Sequence, residues 1–462
     1  MPRRLFPHLA LLLVVVFAAP LMPQTRGPAK RAVLLISIDG MHPDYVRQAD
    51  KHGLKIPTLR RMLADGASAA GVRGVLPTVT YPSHTTMVTG VWPAEHGIPT
   101  NVPFDPLNRN AGVWYWYAED IKVPTLWDVA SAAGYVTGSV SWPVSVAARG
   151  IRYNIPEYWR AQKSPDEIKL VRAISTPGLF DELAPVAGRY TNDLDEAIPG
   201  DWGRTKYAIA LIERKQARFL TIHLAALDHL EHEAGPWSRE AFDVLEETDK
   251  MVADLSKAMR AADPNAVVVV ASDHGFLPTD HELHLNAAFV EEGLIRVTTG
   301  ASPAIAEWEA APWSSGGSAA IVLKDPANRE VMAKTETLLR TLAADPANGI
   351  AEVLDRAKID ALGGARLPQV AFIVNMREGF SVGSLLTGPI VRSKKPGGTH
   401  GYAPTRPELY ASFLIDGTGI QPGLDLGIID MRAIAPTLAG LMGVELPAAD
   451  LQALPLSKGS SR

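Results

Sequence analysis

Residues 266–271 place four valines in a row, Val267 to Val270, directly ahead of Ser272-Asp273-His274. A β-branched run without polar alternation fits a strand covered on both faces, and such strands belong to parallel sheets flanked by helices. The same pattern recurs along the chain. Residues 32–38 form a second continuous apolar run ending at Asp39-Gly40, residues 135–140 read as a strand, and residues 219–227 read as a strand leading to Asp228. Between and after them, residues 125–133, 206–214, 240–261 and 430–442 carry helical apolar spacing, the last closed by Gly443. Strands alternating with helices predict an α/β fold: a three-layer α/β/α sandwich with a mostly parallel central sheet. In open sheets of this kind ligands bind beyond the carboxyl ends of the strands, where several of these acidic residues fall.

A length of 462 residues could hold about three average domains, but large α/β enzymes also fill it with one core and insertions. Between His274 and His400 the pattern loses regularity, with Gly, Ser and Pro clusters at 300–303, 312–318 and 394–399. The expected organisation is a catalytic domain over 30–446, with an inserted cap region within 275–399 that shapes the substrate entrance, and a tail over 447–462. Ahead of it, Arg3 and Arg4 precede an apolar stretch from Leu9 to Ala19, which reads as a signal peptide within residues 1–25. Eleven apolar residues fall short of the roughly 20 that a spanning helix needs, so no stable membrane span is expected after cleavage.

The chain has no cysteine, which removes disulfides, thiolate metal ligands and a thiol nucleophile together. Export without disulfides fits a periplasmic or secreted enzyme. A net charge of −5 argues against a nucleic-acid polymer as partner, since such binding draws on a basic face.

The chemistry lies in scattered acids and imidazoles. Asp39 alone is a common turn residue before glycine. Adjacent Asp273 and His274 after a buried strand can both reach one metal ion if the backbone turns there. Asp228 and His232, four apart, can share one side of a helical turn, and His400 sits in a glycine-flanked loop, Gly397-Gly398-Thr399-His400-Gly401. Together these three carboxylates and three imidazoles suit two zinc ions about 4 Å apart. Thr80, just before Tyr81-Pro82, marks a helix running through Val88 with proline in its first turn. A hydroxyl there is either an N-cap, the commoner role, or a nucleophile whose target phosphate is held by free backbone N–H groups. Among the other histidines, His42, His223, His229, His281 and His284 read as surface or loop residues, and His84 and His96 as packing or supporting groups.

The run Thr80-Tyr-Pro-Ser-His-Thr, with Glu95-His-Gly-Ile98 and Asn101, resembles the nucleophile region of the nucleotide pyrophosphatase/phosphodiesterase family within the alkaline phosphatase superfamily. Asp39-Gly40, Asp228-x-x-x-His232-x-x-Gly235-Pro236, Ser272-Asp273-His274-Gly275 and Gly398-x-His400-Gly401-Tyr402 resemble its other motifs in the same order, so the similarity spans residues 32–445. The resemblance implies an alkaline-phosphatase-like fold. It implies one zinc held by Asp39, Asp273, His274 and the Thr80 hydroxyl, and a second held by Asp228, His232 and His400. The first would activate Thr80 for in-line attack, giving a phosphothreonine intermediate, and the second would serve the leaving group. The Thr80 N–H and Asn101 would stabilise a phosphoryl oxygen, and Tyr81 would line the substrate slot. Without the resemblance, Asn101 reads equally as a loop residue and Tyr81 as core packing.

The expected substrate is a small phosphodiester or nucleotide. Residues 81–95 contain no Lys or Arg, whereas a doubly charged monoester is usually held by a bidentate guanidinium. The sulfatase pattern C/S-x-P-x-R is absent around Thr80. Nucleotide-cleaving members commonly carry a base-stacking aromatic five positions before the leaving-group aspartate, and here that position is His223. Phosphonoacetate hydrolase-like and phosphomonoesterase activities are therefore alternatives. A zinc-binding envelope protein without catalysis is another, against which the retention of Thr80 with all six ligands argues.

Overall fold

The structure is a computed structural model, described here for residues 30–110, 112–160, 164–190, 197–364 and 369–457. The expected signal peptide lies outside the described residues. The valine run forms strand Val267–Ala271, with every residue fully buried. Each such side chain contributes about 1.5–3 kcal/mol relative to leaving it in water. This strand lies in the middle of an eight-stranded sheet whose order is Leu424–Asp425, Ala67–Ser68, Phe413–Gly417, Val267–Ala271, Val33–Ile38, Phe219–Leu224, Thr137–Val140 and Tyr153–Ile155. From the valine strand to Tyr153–Ile155 all pairings are parallel, and Phe413–Gly417 joins antiparallel on the other side.

Successive side chains of the central strands feed two separate cores. Leu34 and Ile36 pack with helices Pro57–Asp65, Ile198–Lys215 and Arg239–Ala262, while Val33 and Leu35 pack with Thr80–Thr89, Leu126–Ala132 and Ile434–Met442. That division is the three-layer α/β/α sandwich, and it follows from the two-residue period of a strand apolar on both faces. Helix Leu126–Ala132 opens with a reciprocal capping box between Thr125 and Asp128, and Ile434–Met442 stops at Gly443, whose φ of 69° is open to glycine. Among the described residues no helix is long and apolar enough to cross a membrane.

Residues 277–399 leave the central sheet. They build a three-stranded sheet, Gly379–Val382, Leu277–Leu283 and Val391–Thr399, and a four-stranded antiparallel sheet, Ala310–Ser314, Ser318–Leu323, Val370–Met376 and Ile350–Leu354. These share an apolar core that includes Leu283, Phe289, Ile321 and Val374. The last strand ends at Thr399, just before His400, and the chain rejoins the central sheet at Phe413–Gly417.

The expected strand over 219–227 is corrected by the structure. It stops at Leu224, and a helix, Ala226–Ala234, begins almost at once. The cause is distant in sequence: the buried Asp201 carboxylate accepts the N–H groups of Ala225 (3.1 Å) and Ala226 (3.0 Å), satisfying the helix start from another element. The apolar Ala225-Ala226-Leu227 therefore turns instead of extending.

Candidate active site

Three strand ends and two helices deliver the candidate ligands to one place. Asp39 follows Val33–Ile38, where Gly40, at φ 76°, turns the chain sharply. Asp273 and His274 follow the valine strand, and Asp273 Oδ1 accepts the N–H groups of Gly40 and of His274, both at 3.1 Å. Asp228 and His232 occupy one side of helix Ala226–Ala234, and His400 follows Val391–Thr399. The ligand atoms fall into two groups, Asp39 with Asp273 and His274, and Asp228 with His232 and His400, each lying within 4.8 Å of one another. The groups abut: the rings of His274 and His400 stack at 3.7 Å with 10° between their planes. The structure thus brings together all six side chains singled out from the sequence.

The donor chemistry fits cations. Asp39 Oδ1, Asp273 Oδ2, Asp228 Oδ1 and both His274 ring nitrogens are buried without a hydrogen-bond partner. Buried polar atoms without partners are costly, and these belong to the side chains whose ligand atoms, group by group, lie within 4.8 Å of one another. His232 Nδ1 pairs with the Gly398 carbonyl at 3.1 Å and His400 Nδ1 with the Thr78 carbonyl at 3.0 Å. With Nδ1–H donating to a carbonyl, Nε2 of each ring is left as the ligating lone pair, and these are the nitrogens facing Asp228, at 3.5 and 3.6 Å. Burial, with His274 and His232 nearby, holds His400 well below the usual imidazole range, so it stays neutral, the form that binds metal. Burial first, then the charges of Asp273 and Asp228, push Asp39 well up. Burial works the same way on Asp273, but His274, His84 and Asp39 together offset it and hold that carboxyl well below its usual range. A pocket this crowded with buried carboxylates has the electrostatics that suit a cation.

Thr80 is the first residue of helix Thr80–Thr89, but it is not the cap. Val79 holds the N-cap position, and its side chain makes no capping bond. The commoner sequence reading is thereby corrected: the chain needs no cap here, because Asn101 Oδ1 accepts the Tyr81 N–H from outside at 2.9 Å. Pro82 has no N–H, and Ser83 bonds to Val79. The Thr80 N–H therefore remains the first-turn donor available to a ligand. Thr80 is 8% exposed and shares a cleft of about 360 Å³ with Asp39, Asp228, His232, His400 and Asn101. Among the described residues no Lys or Arg lines that cleft. His84, one turn along, bonds to the Thr80 carbonyl at 2.8 Å and lies 3.7 Å from Asp273 Oδ2, tying the helix to the Asp273 side of the site.

His223 is not a surface or loop residue. It lies in strand Phe219–Leu224, 1% exposed, with Nε2 2.9 Å from Asp39 Oδ2 and Nδ1 2.7 Å from Glu157 Oε2. Burial pulls it down, but Glu157 and Asp39 raise it well above the usual imidazole range. Burial likewise pushes Glu157 up, and His223 overcomes it and brings the carboxyl below its ordinary range. Glu157 also accepts the Tyr81 hydroxyl at 2.8 Å, and Tyr81 is buried at the margin of the cleft. Half-buried Trp114, 5.2 Å from the Tyr81 ring, and Trp159, 4.2 Å from Trp114, continue an aromatic wall. Glu157, Trp114 and Trp159 escaped the sequence reading. Glu157 had a detectable signal, a carboxylate just past a strand end, but that strand is only Tyr153–Ile155 and too short to recognise.

The family model for type I phosphodiesterase/nucleotide pyrophosphatase matches residues 33–403. Human ectonucleotide pyrophosphatase/phosphodiesterase family member 1 is 26% identical over 255 residues, 52% of this chain and 23% of its own length. Human family member 7 is 24% identical over 285 residues, 59% of this chain and 54% of its own length. The chain thus spans between about a quarter and a half of the curated relatives it matches. Among solved structures, that of murine ectonucleotide pyrophosphatase/phosphodiesterase 5, inactive and in complex with AMP, has a TM-score of 0.63 at 18% identity, covering 92% of this chain and 97% of the other. At that identity the likeness shows the fold alone.

Proposed function

Because the chain belongs to the type I phosphodiesterase/nucleotide pyrophosphatase family, we propose that it is a secreted or periplasmic two-zinc phosphodiesterase acting through Thr80. The observation that carries this reading is the pair of abutting ligand groups, with unpartnered atoms turned inward, sharing one cleft with a helix-terminal hydroxyl. Asp39, Asp273 and His274 would hold one zinc beside Thr80, and Asp228, His232 and His400 the other. Bound zinc would supply Lewis-acid stabilisation of the nucleophilic oxygen and of charge on the departing oxygen.

The chain's own residues supply the rest. Thr80 Oγ1 forms a bond to phosphorus as the bond to the leaving oxygen breaks, giving phosphothreonine, and water then cleaves that ester and restores the hydroxyl. The Thr80 N–H and Asn101 Nδ2, the amide face turned away from Tyr81, stabilise a phosphoryl oxygen through the transition state. A cleft with no Lys or Arg among its described lining residues suits a singly charged diester better than a monoester dianion. The aromatic wall of Tyr81, Trp114 and Trp159 suits a planar substituent, and the AMP complex of the murine relative supports a nucleotide.

Thr80→Ala tests the covalent route. Turnover of an aryl phosphodiester should vanish while zinc content stays near two per chain, and kcat/KM of the unsubstituted enzyme should favour the diester over the aryl monoester. Unchanged turnover in the variant would remove Thr80 as nucleophile, and a large monoester preference would overturn the substrate class.

A further inference from the structure

His223 is fully enclosed and both of its ring nitrogens meet carboxylate oxygens, Asp39 Oδ2 at 2.9 Å and Glu157 Oε2 at 2.7 Å. Both ends of the ring are thus held by hydrogen bonds to carboxyl groups. The consequence for Asp39 is directional. Its Oδ2 is occupied by His223, while its Oδ1 has no hydrogen-bond partner and lies 3.4 Å from His274 Nε2. The other end of the link is equally fixed: Glu157 uses Oε2 for His223 and Oε1 for the hydroxyl of Tyr81, the residue after Thr80. A continuous chain of hydrogen bonds therefore runs from a candidate cation ligand to the substrate wall.

We propose that His223 and Glu157 are positioning residues that lock the Asp39 carboxylate with one oxygen turned to the cation beside Thr80, and couple that lock to Tyr81 on the substrate wall. The inference rests on the two-cation reading and adds to it a cause for unequal cation affinity. Residues that orient a metal ligand through its second oxygen typically change metal affinity 10–100-fold when replaced. The lock touches only the Asp39 group, since Asp228, His232 and His400 take their orientation from the helix and from the Gly398 and Thr78 carbonyls.

The test measures cation retention separately from turnover. Full-length chain and the variants Glu157→Gln, His223→Gln and His223→Phe are loaded with zinc, equilibrated against graded chelator, and assayed for zinc per chain. Melting of the zinc-free proteins is the control for folding. In Glu157→Gln and His223→Gln one of the two zinc ions should leave at 10–100-fold lower chelator than in the unsubstituted chain, and the other at an unchanged concentration. His223→Phe, with no donor left, should lose that zinc more readily than His223→Gln. If His223→Phe does not fold, the other two variants still decide the matter. Variants that hold both ions as tightly as the unsubstituted chain, or that weaken both equally, would overturn the positioning role. An unsubstituted chain holding no zinc would sink the two-cation reading itself and this inference with it, a result distinguishable from failure in the variants alone.

Discussion

Replacing Asn101 should separate two roles of one side chain. Its Oδ1 accepts the Tyr81 N–H at 2.9 Å, so the opposite side of the amide, Nδ2, is the donor left for the cleft. Asn101→Ala deletes that donor and also strands a helix N-terminal N–H. Losing one preorganised donor to a developing oxyanion costs about 2.7–4 kcal/mol, or 10²–10³ in kcat. Losing the acceptor at the helix start costs about 1 kcal/mol of stability, a shift of about 1–2 °C in Tm for a chain this long. Asn101→Asp is the sharper variant. It keeps an acceptor for Tyr81, so the helix start stays satisfied and any fall in melting temperature reports the added charge. It also substitutes a carboxylate for the donor in a site that already buries Asp39 and Asp228. At about 4 Å and an effective dielectric near 20, a like charge is worth about 4 kcal/mol, so turnover should fall at least as far as in Asn101→Ala. Steady-state kcat on an aryl phosphodiester, paired with thermal melts, reads both effects. If Asn101→Asp turns over within threefold of the unsubstituted enzyme, the assignment of Nδ2 to the phosphoryl oxygen is wrong.

Gly401→Ala should dislodge His400, because a Cβ there would meet backbone, 1.6 Å from the Ser315 carbonyl oxygen, at a φ of 87° that L side chains rarely adopt. Zinc per chain should drop toward one and Tm should fall, and a variant with both at unsubstituted values would contradict the placement of this loop. His96 should give the zinc-free protein an acid-sensitive limb. Burial depresses it to about 3, its Nδ1 accepts the Ile98 N–H at 3.2 Å, and it is therefore neutral when folded but titrates near 6.5 when unfolded. The unfolded chain then binds the extra proton, so stability is full above about pH 6.5 and declines as pH falls toward 3, by about 1.4 kcal/mol per pH unit for one proton. In urea unfolding between pH 7 and 5, His96→Asn should lose about 2 kcal/mol less stability across the interval, about 1 kcal/mol per pH unit on average, and equal slopes would refute the burial of a neutral imidazole.

The sequence determined the layers and the ligand types. An apolar run such as Val267–Ala271 has one low-energy setting, inside a sheet covered on both faces, so the acids after it and after Val33–Ile38 had to emerge at strand ends. Spacing alone placed Asp228 and His232 on one side of a turn, because the helix period is local. What the tertiary structure decided depends on partners far apart in sequence. The early start of helix Ala226–Ala234 is set by Asp201, and Thr80 is relieved of capping by Asn101. His223 is drawn inside because Asp39 and Glu157, 184 and 66 residues away, flank its strand. Local pattern carries what a residue prefers by itself. A buried polar group's role is fixed by which opposite charges or donors the fold brings within about 3 Å, and no window of sequence contains that information.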